Sequence, residues 1–333
     1  LGVGLLISNV AFSQTVQDGF RFLDRHQPSR AKQVFDGLVA SAPTGENYFN
    51  LGLYYLHLRD WDNAKASFEK GKAADPKNYL NPVGLASILV GQNNVSAAKV
   101  EFDKIIADTK SKNIDVLYRI AEAYSMYYIL GKEESFNANN NDPGEAIRLI
   151  DVIQERMLKD KKLPAPEHYI VKGDAFLIKN DGGNAVTAYE AAIAQDPRNV
   201  KAKVKIGTVY LRGKNYKETQ ARYKEALDLD SNYAPGHRRY GEYLIIGGQY
   251  KNASRYFRKY IEKAEATPEV TMETAKLLFL SKDYDGAMKY TDEADKRGVR
   301  DNDIYRMRGY SRVEMGNFQQ GIDNLDEMVK KGV

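Results

Sequence analysis

The stretch Pro166–Asn199, PEHYIVKGDAFLIKNDGGNAVTAYEAAIAQDPRN, decides the fold. Tyr169, Gly173 and Phe176 fall four and three residues apart, on one face of a helix, and Ala185, Tyr189 and Ala192 repeat that spacing on a second. Gly173 and Ala185 carry no bulk, so the two backbones can approach closely while Tyr189 fills the seam a turn further on. Pro197 then ends the pair, because proline cannot donate to a continuing helix.

Outward from this unit the pattern recurs. Gly173, Gly207, Gly241, Ala275 and Gly309 stand at constant intervals of 34, and Ala185, Thr219, Ala253, Ala287 and Gly321 keep the same step twelve residues later. A fixed period with small residues at two positions predicts an array of helix–turn–helix repeats, an all-α solenoid. Towards the N-terminus the template meets Gly52, Tyr55, Trp61, Ala64, Phe68 and Pro76, then Ala86, Leu89, Val95, Ala98 and Phe102. A partial first unit shows Phe22, Ala31, Phe35, Leu38 and Pro43. The reading gives about nine units, near 14–44, 45–78, 79–112, 113–165, 166–199, 200–233, 234–267, 268–301 and 302–333.

The segment Tyr48, Leu51, Gly52, Tyr55, Ala64, Phe68, Pro76 resembles the tetratricopeptide repeat (TPR), with Gly71 where the last alanine is usual. The resemblance extends from about Thr15 onward and rests wholly on packing residues, so it is specific for fold and silent on partner. It implies a right-handed superhelix in which the first helix of each unit lines a concave, peptide-binding surface. The family's second, fifth, ninth and thirteenth positions line that groove and, carried over, select Lys201, Thr208, Arg212, Arg238, Glu242, Lys276, Arg306 and Tyr310. The carboxylate-clamp subgroup is not matched. It needs Asn at the ninth position, where these units supply Leu53, Ser87, Asp174, Thr208, Glu242, Lys276 and Tyr310.

Composition agrees with many small seams. Among 333 residues there are 23 tyrosines against one tryptophan, and a linear array needs no domain boundary because each unit buries its face only on its neighbours. The first twelve residues, LGVGLLISNVAF, read as the apolar core of a signal peptide, with Ala11 and Ser13 as the small residues of a cleavage site. Residues 1–13 are therefore expected to be a truncated signal peptide and the protein to be exported, to a bacterial periplasm or envelope. The AFSQ ending is similar to that of secreted proteins of Bacteroidota. No later stretch approaches 18 uncharged apolar residues, so no transmembrane segment is expected in the mature chain.

One unit breaks the rhythm. Ala121 and Ala146 are 25 apart where the template wants twelve, and the inserted loop, 131–143, is rich in asparagine. Asp142, Pro143 and Glu145 then predict a fresh helix start, as N-cap, first-turn proline and reciprocal glutamate. An EF-hand begun at Asn139 would need ligands at Pro143 and Ile150, and fails on both.

Catalytic constellations are missing from the sequence. The chain has no cysteine, no GxSxG elbow, no phosphate-binding glycine loop and no metal spacing among its four histidines, so neither enzyme activity nor a cofactor is expected. His57 and His237 lie on or beside first helices. Charge carries the ligand information: residues 197–239 hold eleven Lys/Arg against four Asp/Glu, more than the net +4 of the whole chain. Cations on successive first helices would suit a carboxylate-rich peptide. Nucleic acid is not expected on so mixed a surface. The resulting expectation is a non-enzymatic scaffold binding an extended, acidic protein segment along its concave face. Its alternatives are an assembly subunit of an envelope or secretion machine working through other faces, or the repeat part of a longer protein.

Overall fold

The computed structural model describes residues 15–125 and 142–330, and among them the chain is all-α, with eighteen helices and no strand. The helices come in consecutive pairs: α1 (Val16–Asp24) with α2 (Pro28–Ser41), α3 (Gly45–His57) with α4 (Trp61–Ala74), and α5 (Leu80–Gly91) with α6 (Val95–Asp108). Then follow α7 (Ile114–Tyr124) with α8 (Pro143–Lys159), α9 (Pro166–Ile178) with α10 (Gly182–Gln195), and α11 (Val200–Arg212) with α12 (Tyr216–Leu229). The array closes with α13 (Ala234–Ile246) and α14 (Tyr250–Lys263), α15 (Pro268–Leu280) and α16 (Tyr284–Lys296), and α17 (Asp303–Glu314) and α18 (Phe318–Lys330). The expected signal peptide and most of the asparagine-rich loop lie outside the described residues.

The turns inside the pairs share one construction. A single residue in the left-handed region stops the first helix: Asn180 (φ 58°), Lys214 (57°), Gly248 (69°), Lys282 (58°) and Gly316 (83°) again step by 34. The next residue caps the second helix. Asp181, Asn215 and Asp283 accept the amide three residues on at 3.1, 3.4 and 3.0 Å, and Asp60 and Asn94 do so at 3.2 Å. Asp142 restarts the chain after the insertion in the same way, accepting from the Glu145 amide at 3.0 Å with Pro143 in the first turn. The reciprocal role expected of Glu145 is corrected, because its carboxylate takes the Arg148 guanidinium at 2.6 Å instead.

The seams have the predicted small-against-large form. A Cβ added to Gly207 would stand 2.5 Å from the Tyr223 ring, and Gly52, Gly173 and Gly241 press as closely on Phe68, Tyr189 and Phe257. Gly19 does the same on Phe35 in the first pair. Phe68 is held from both sides, since Gly84 of the next pair lies on its other face. These rings are fully buried, each removing apolar surface worth about 1.5–3 kcal/mol. Gly207 and Ala253 sit inside the seams as the period requires.

The array also winds back on itself. The corner between α1 and α2 meets the start of α11 and the corners after α12 and α14. Asp24 pairs with Lys201 at 2.7 Å and Arg25 with Asp230 at 2.6 Å. The His26 carbonyl accepts from the Glu265 amide at 2.8 Å, Gln27 donates to the Lys263 carbonyl at 2.7 Å, and the Ser29 amide donates to the Glu265 carboxylate at 2.6 Å. The His26 ring lies 3.2 Å from the Tyr260 hydroxyl. Nothing in the repeat pattern foretells this clasp.

Candidate functional site: a cavity inside the coil

The coil wraps around a half-open cavity of about 1050 Å³ lined by the first helices α1, α3, α7, α9 and α11, by Leu80 at the start of α5, and by the turns before α9 and α11 and after α12. First helices turn inward because their other faces are committed: the small residues contact the paired second helix, and the apolar flanks contact the neighbouring pair. What remains for the interior is the polar stripe. It includes Glu46, Asn50 and His57 from α3, Tyr118, Arg119 and Glu122 from α7, and Glu167 and Asp174 from α9.

At its centre the wall is a network of opposed charges. Arg119 donates to Glu122 at 2.7 Å, and its guanidinium lies 5.1, 5.5 and 5.9 Å from the ring centres of Tyr118, Phe49 and Phe20. Burial opposes ionisation of Glu122, but Arg119 beside it outweighs that cost and holds the carboxyl below the usual carboxylate range. His57 is bonded through Nδ1 to the Leu53 carbonyl at 2.9 Å, and burial holds its pKa below that of a free imidazole. Asp174 accepts from both the Tyr189 hydroxyl at 2.6 Å and Lys205 at 2.7 Å.

Of the eight residues selected from the sequence, Lys201 alone lines this cavity, where it is bound to Asp24. Arg238 is buried, only 6% exposed, between Glu242 at 3.1 Å and Glu273 at 2.8 Å. Glu242 is thus occupied by Arg238 and also by Arg239 at 2.8 Å. Thr208 bonds the Val204 carbonyl and the Tyr223 hydroxyl, and Arg212 is exposed at the end of α11. Lys276 bridges Asp301 and Asp303, Arg306 pairs with Asp303 at 2.7 Å, and Tyr310 is half exposed. The cations of the expected stripe are therefore largely spent on carboxylates of the same chain.

The same four offsets reach the cavity in two earlier units, three positions in each, but not in 113–165, where Ile114, Leu117, Ala121 and Ser125 lie off the wall. In 45–78 Glu46, Phe49 and His57 line the wall and Leu53 does not, and in 166–199 Glu167, Ile170 and Asp174 do and Ile178 does not. Of the two histidines singled out, His57 reaches the cavity, whereas His237 is 4% exposed and held by the Ser231 carbonyl at 2.8 Å. Among the described residues no cluster of His, Asp or Glu is arranged to hold a metal ion, and no helix is long and apolar enough to cross a membrane.

Comparison with known proteins bears on this architecture. Family models described as tetratricopeptide repeat match residues 45–78 and 170–240. Tetratricopeptide repeat protein 1 of Schizosaccharomyces pombe is 31% identical over 81 residues, 24% of this chain and 8% of its own. The DnaJ homolog subfamily C member 7 homolog of the same yeast is 26% identical over 234 residues, 63% of this chain and 48% of its own. The chain thus spans less than half the length of the curated relatives it matches. Among solved structures, the human IFIT1 dimer with PPP-AAAA superposes on 96% of this chain and 72% of its own, at a TM-score of 0.54 and 14% identity. A tetratricopeptide repeat protein from Parabacteroides merdae aligns over 84% of this chain and 98% of its own, at 0.49 and 14%. Paired helices, small-residue seams of fixed period and the two matched segments lead to one conclusion: the chain is a helical solenoid that carries tetratricopeptide repeats.

Proposed function

We propose that this chain is a non-enzymatic scaffold that holds an extended protein or peptide segment inside its coil. The observation that carries the reading is the convergence of polar and aromatic side chains from successive first helices on one cavity of about 1050 Å³. Each helix offers a few contacts, and affinity accumulates along an extended ligand.

The charge of the wall refines the partner. Eight carboxylates line the cavity, on Asp24, Glu46, Asp115, Glu122, Glu167, Asp174, Asp196 and Asp230, against five cations, on Arg21, Arg25, Arg119, Arg198 and Lys201. This excess favours a segment of net positive charge over the acidic one expected from residues 197–239, whose cations Lys201, Lys203, Lys205 and Arg238 already have carboxylate partners. Lysine-rich and glutamate-rich fluorescent peptides of equal length, titrated and followed by anisotropy, separate the two forms. The lysine-rich peptide should bind more tightly, and Glu46→Lys with Asp115→Lys and Glu167→Lys, all exposed positions, should weaken it at least tenfold. Tighter capture of the glutamate-rich peptide would return the reading to the cation stripe; capture of neither would reject the cavity as a peptide site. Export to a bacterial envelope stays part of the proposal and rests on residues 1–13 alone.

A further inference from the structure

We infer that the α1–α2 corner is a gate: a clasp that narrows the half-open cavity and releases without unfolding any helix pair. The inference rests on the proposed role of the cavity, and deepens it by naming how a ligand gains entry. Three observations carry it.

The clasp and the cavity share side chains. Asp24 and Arg25 on one side, and Lys201 and Asp230 on the other, both bridge the closure and line the wall. Separating them therefore widens the half-open chamber directly.

The closure differs in kind from the interfaces between adjacent pairs. Those are joined through buried seams such as Phe68 between Gly52 and Gly84, whose separation would expose core. The clasp is made of backbone and side-chain hydrogen bonds, two partly exposed ion pairs and a single buried contact, the edge of His26 against the Tyr260 ring. Apart from the His26–Tyr260 contact, such groups can be handed to water or to charged ligand groups with little loss, and exposed ion pairs are screened by salt. The third observation is one of sequence: the side-chain bonds of the clasp span 177 to 236 positions, so releasing them leaves every local helix pair intact.

A distance measurement tests the gate without any ligand, so its failure is distinct from failure of the peptide reading. The chain has no cysteine, so Gln33→Cys on α2 and Glu262→Cys on α14, both exposed and outside the clasp, give a unique pair for spin labels. At low salt a single short distance is expected. Adding Asp24→Lys and Asp230→Lys, which sets like charges against Lys201 and Arg25, should produce a second, longer population with circular dichroism unchanged. Raising NaCl to ~1 M on the labelled parent, where the Debye length is ~3 Å, should populate the same longer component. A distribution that stays single and short through the salt series overturns the gate, whatever the lysine variant does. So does a parent that is already long and broad at low salt.

Discussion

At the scale of the residue, the fold depends on glycines whose missing side chain is replaced by a neighbour's ring. Gly207 and Gly37 are both helical, yet a Cβ on Gly207 meets Tyr223 at 2.5 Å while one on Gly37 meets nothing within 4 Å. Gly207→Ala should therefore destabilise by about 1–3 kcal/mol through overpacking. Gly37→Ala should stabilise by up to about 1 kcal/mol through helix propensity, and urea unfolding reads the opposite signs. Arg238 supplies a second residue-scale test. Because it is buried between Glu242 and Glu273, Arg238→Glu would gather three carboxylates, and a loss of about 3–5 kcal/mol of stability is expected. A variant that melts like the parent would place Arg238 on the surface, where the repeat offsets alone put it.

At the scale of the element, what differs between pairs is who covers them. Thr291 and Ala294 on α16 are fully buried, whereas Leu325 and Met328, 34 positions on in α18, are only partly covered, and Phe318, Ile322 and Val329 are exposed. The covering partner elsewhere is the first helix of the next pair. Amide hydrogen exchange should accordingly find α18 the least protected of the eighteen helices, with α12, held between α11 and α13, among the slowest. Equal protection of α18 and α12 would count against the stacking account. The seams are legible in the sequence because a small residue every 34 positions marks a close helix contact that recurs in every unit. The turns carry the same period in quieter form: the series Asn180, Lys214, Gly248, Lys282, Gly316 and the Asp or Asn caps that follow most of them keep the step of 34, but their residue types vary too much to stand out. The groove residues are half legible. The offsets reach the cavity wall in units 45–78 and 166–199, but the basic run points to units whose cations fold inward onto carboxylates, and away from Glu46, His57 and Asp174. Pairing between repeats is set by side-chain reach across units, which no single period encodes.

At the scale of the whole molecule, the coil's closure is not legible at all. It sums small rotations over seven pairs and joins residues that follow no repeat, such as Ser29 and Glu265. Acid sensitivity is also a property of the whole. Burial lowers the pKa of His57, His168 and His237 in the fold, so each takes up a proton more readily in the unfolded chain. Acidification below about pH 6.5 therefore favours unfolding and continues to do so down to the lowered folded values. A melting temperature that falls from pH 7 to pH 5, and falls less in His168→Gln, is expected; a flat profile would mean the histidines are solvated. The most direct test of the account is small-angle X-ray scattering at low salt. Nine helix pairs wound back so that the α1–α2 corner meets the α14–α15 corner predict a profile matching the closed coil, with a low-density interior. The profile of an elongated, open rod of stacked pairs would contradict the closure and the cavity built on it.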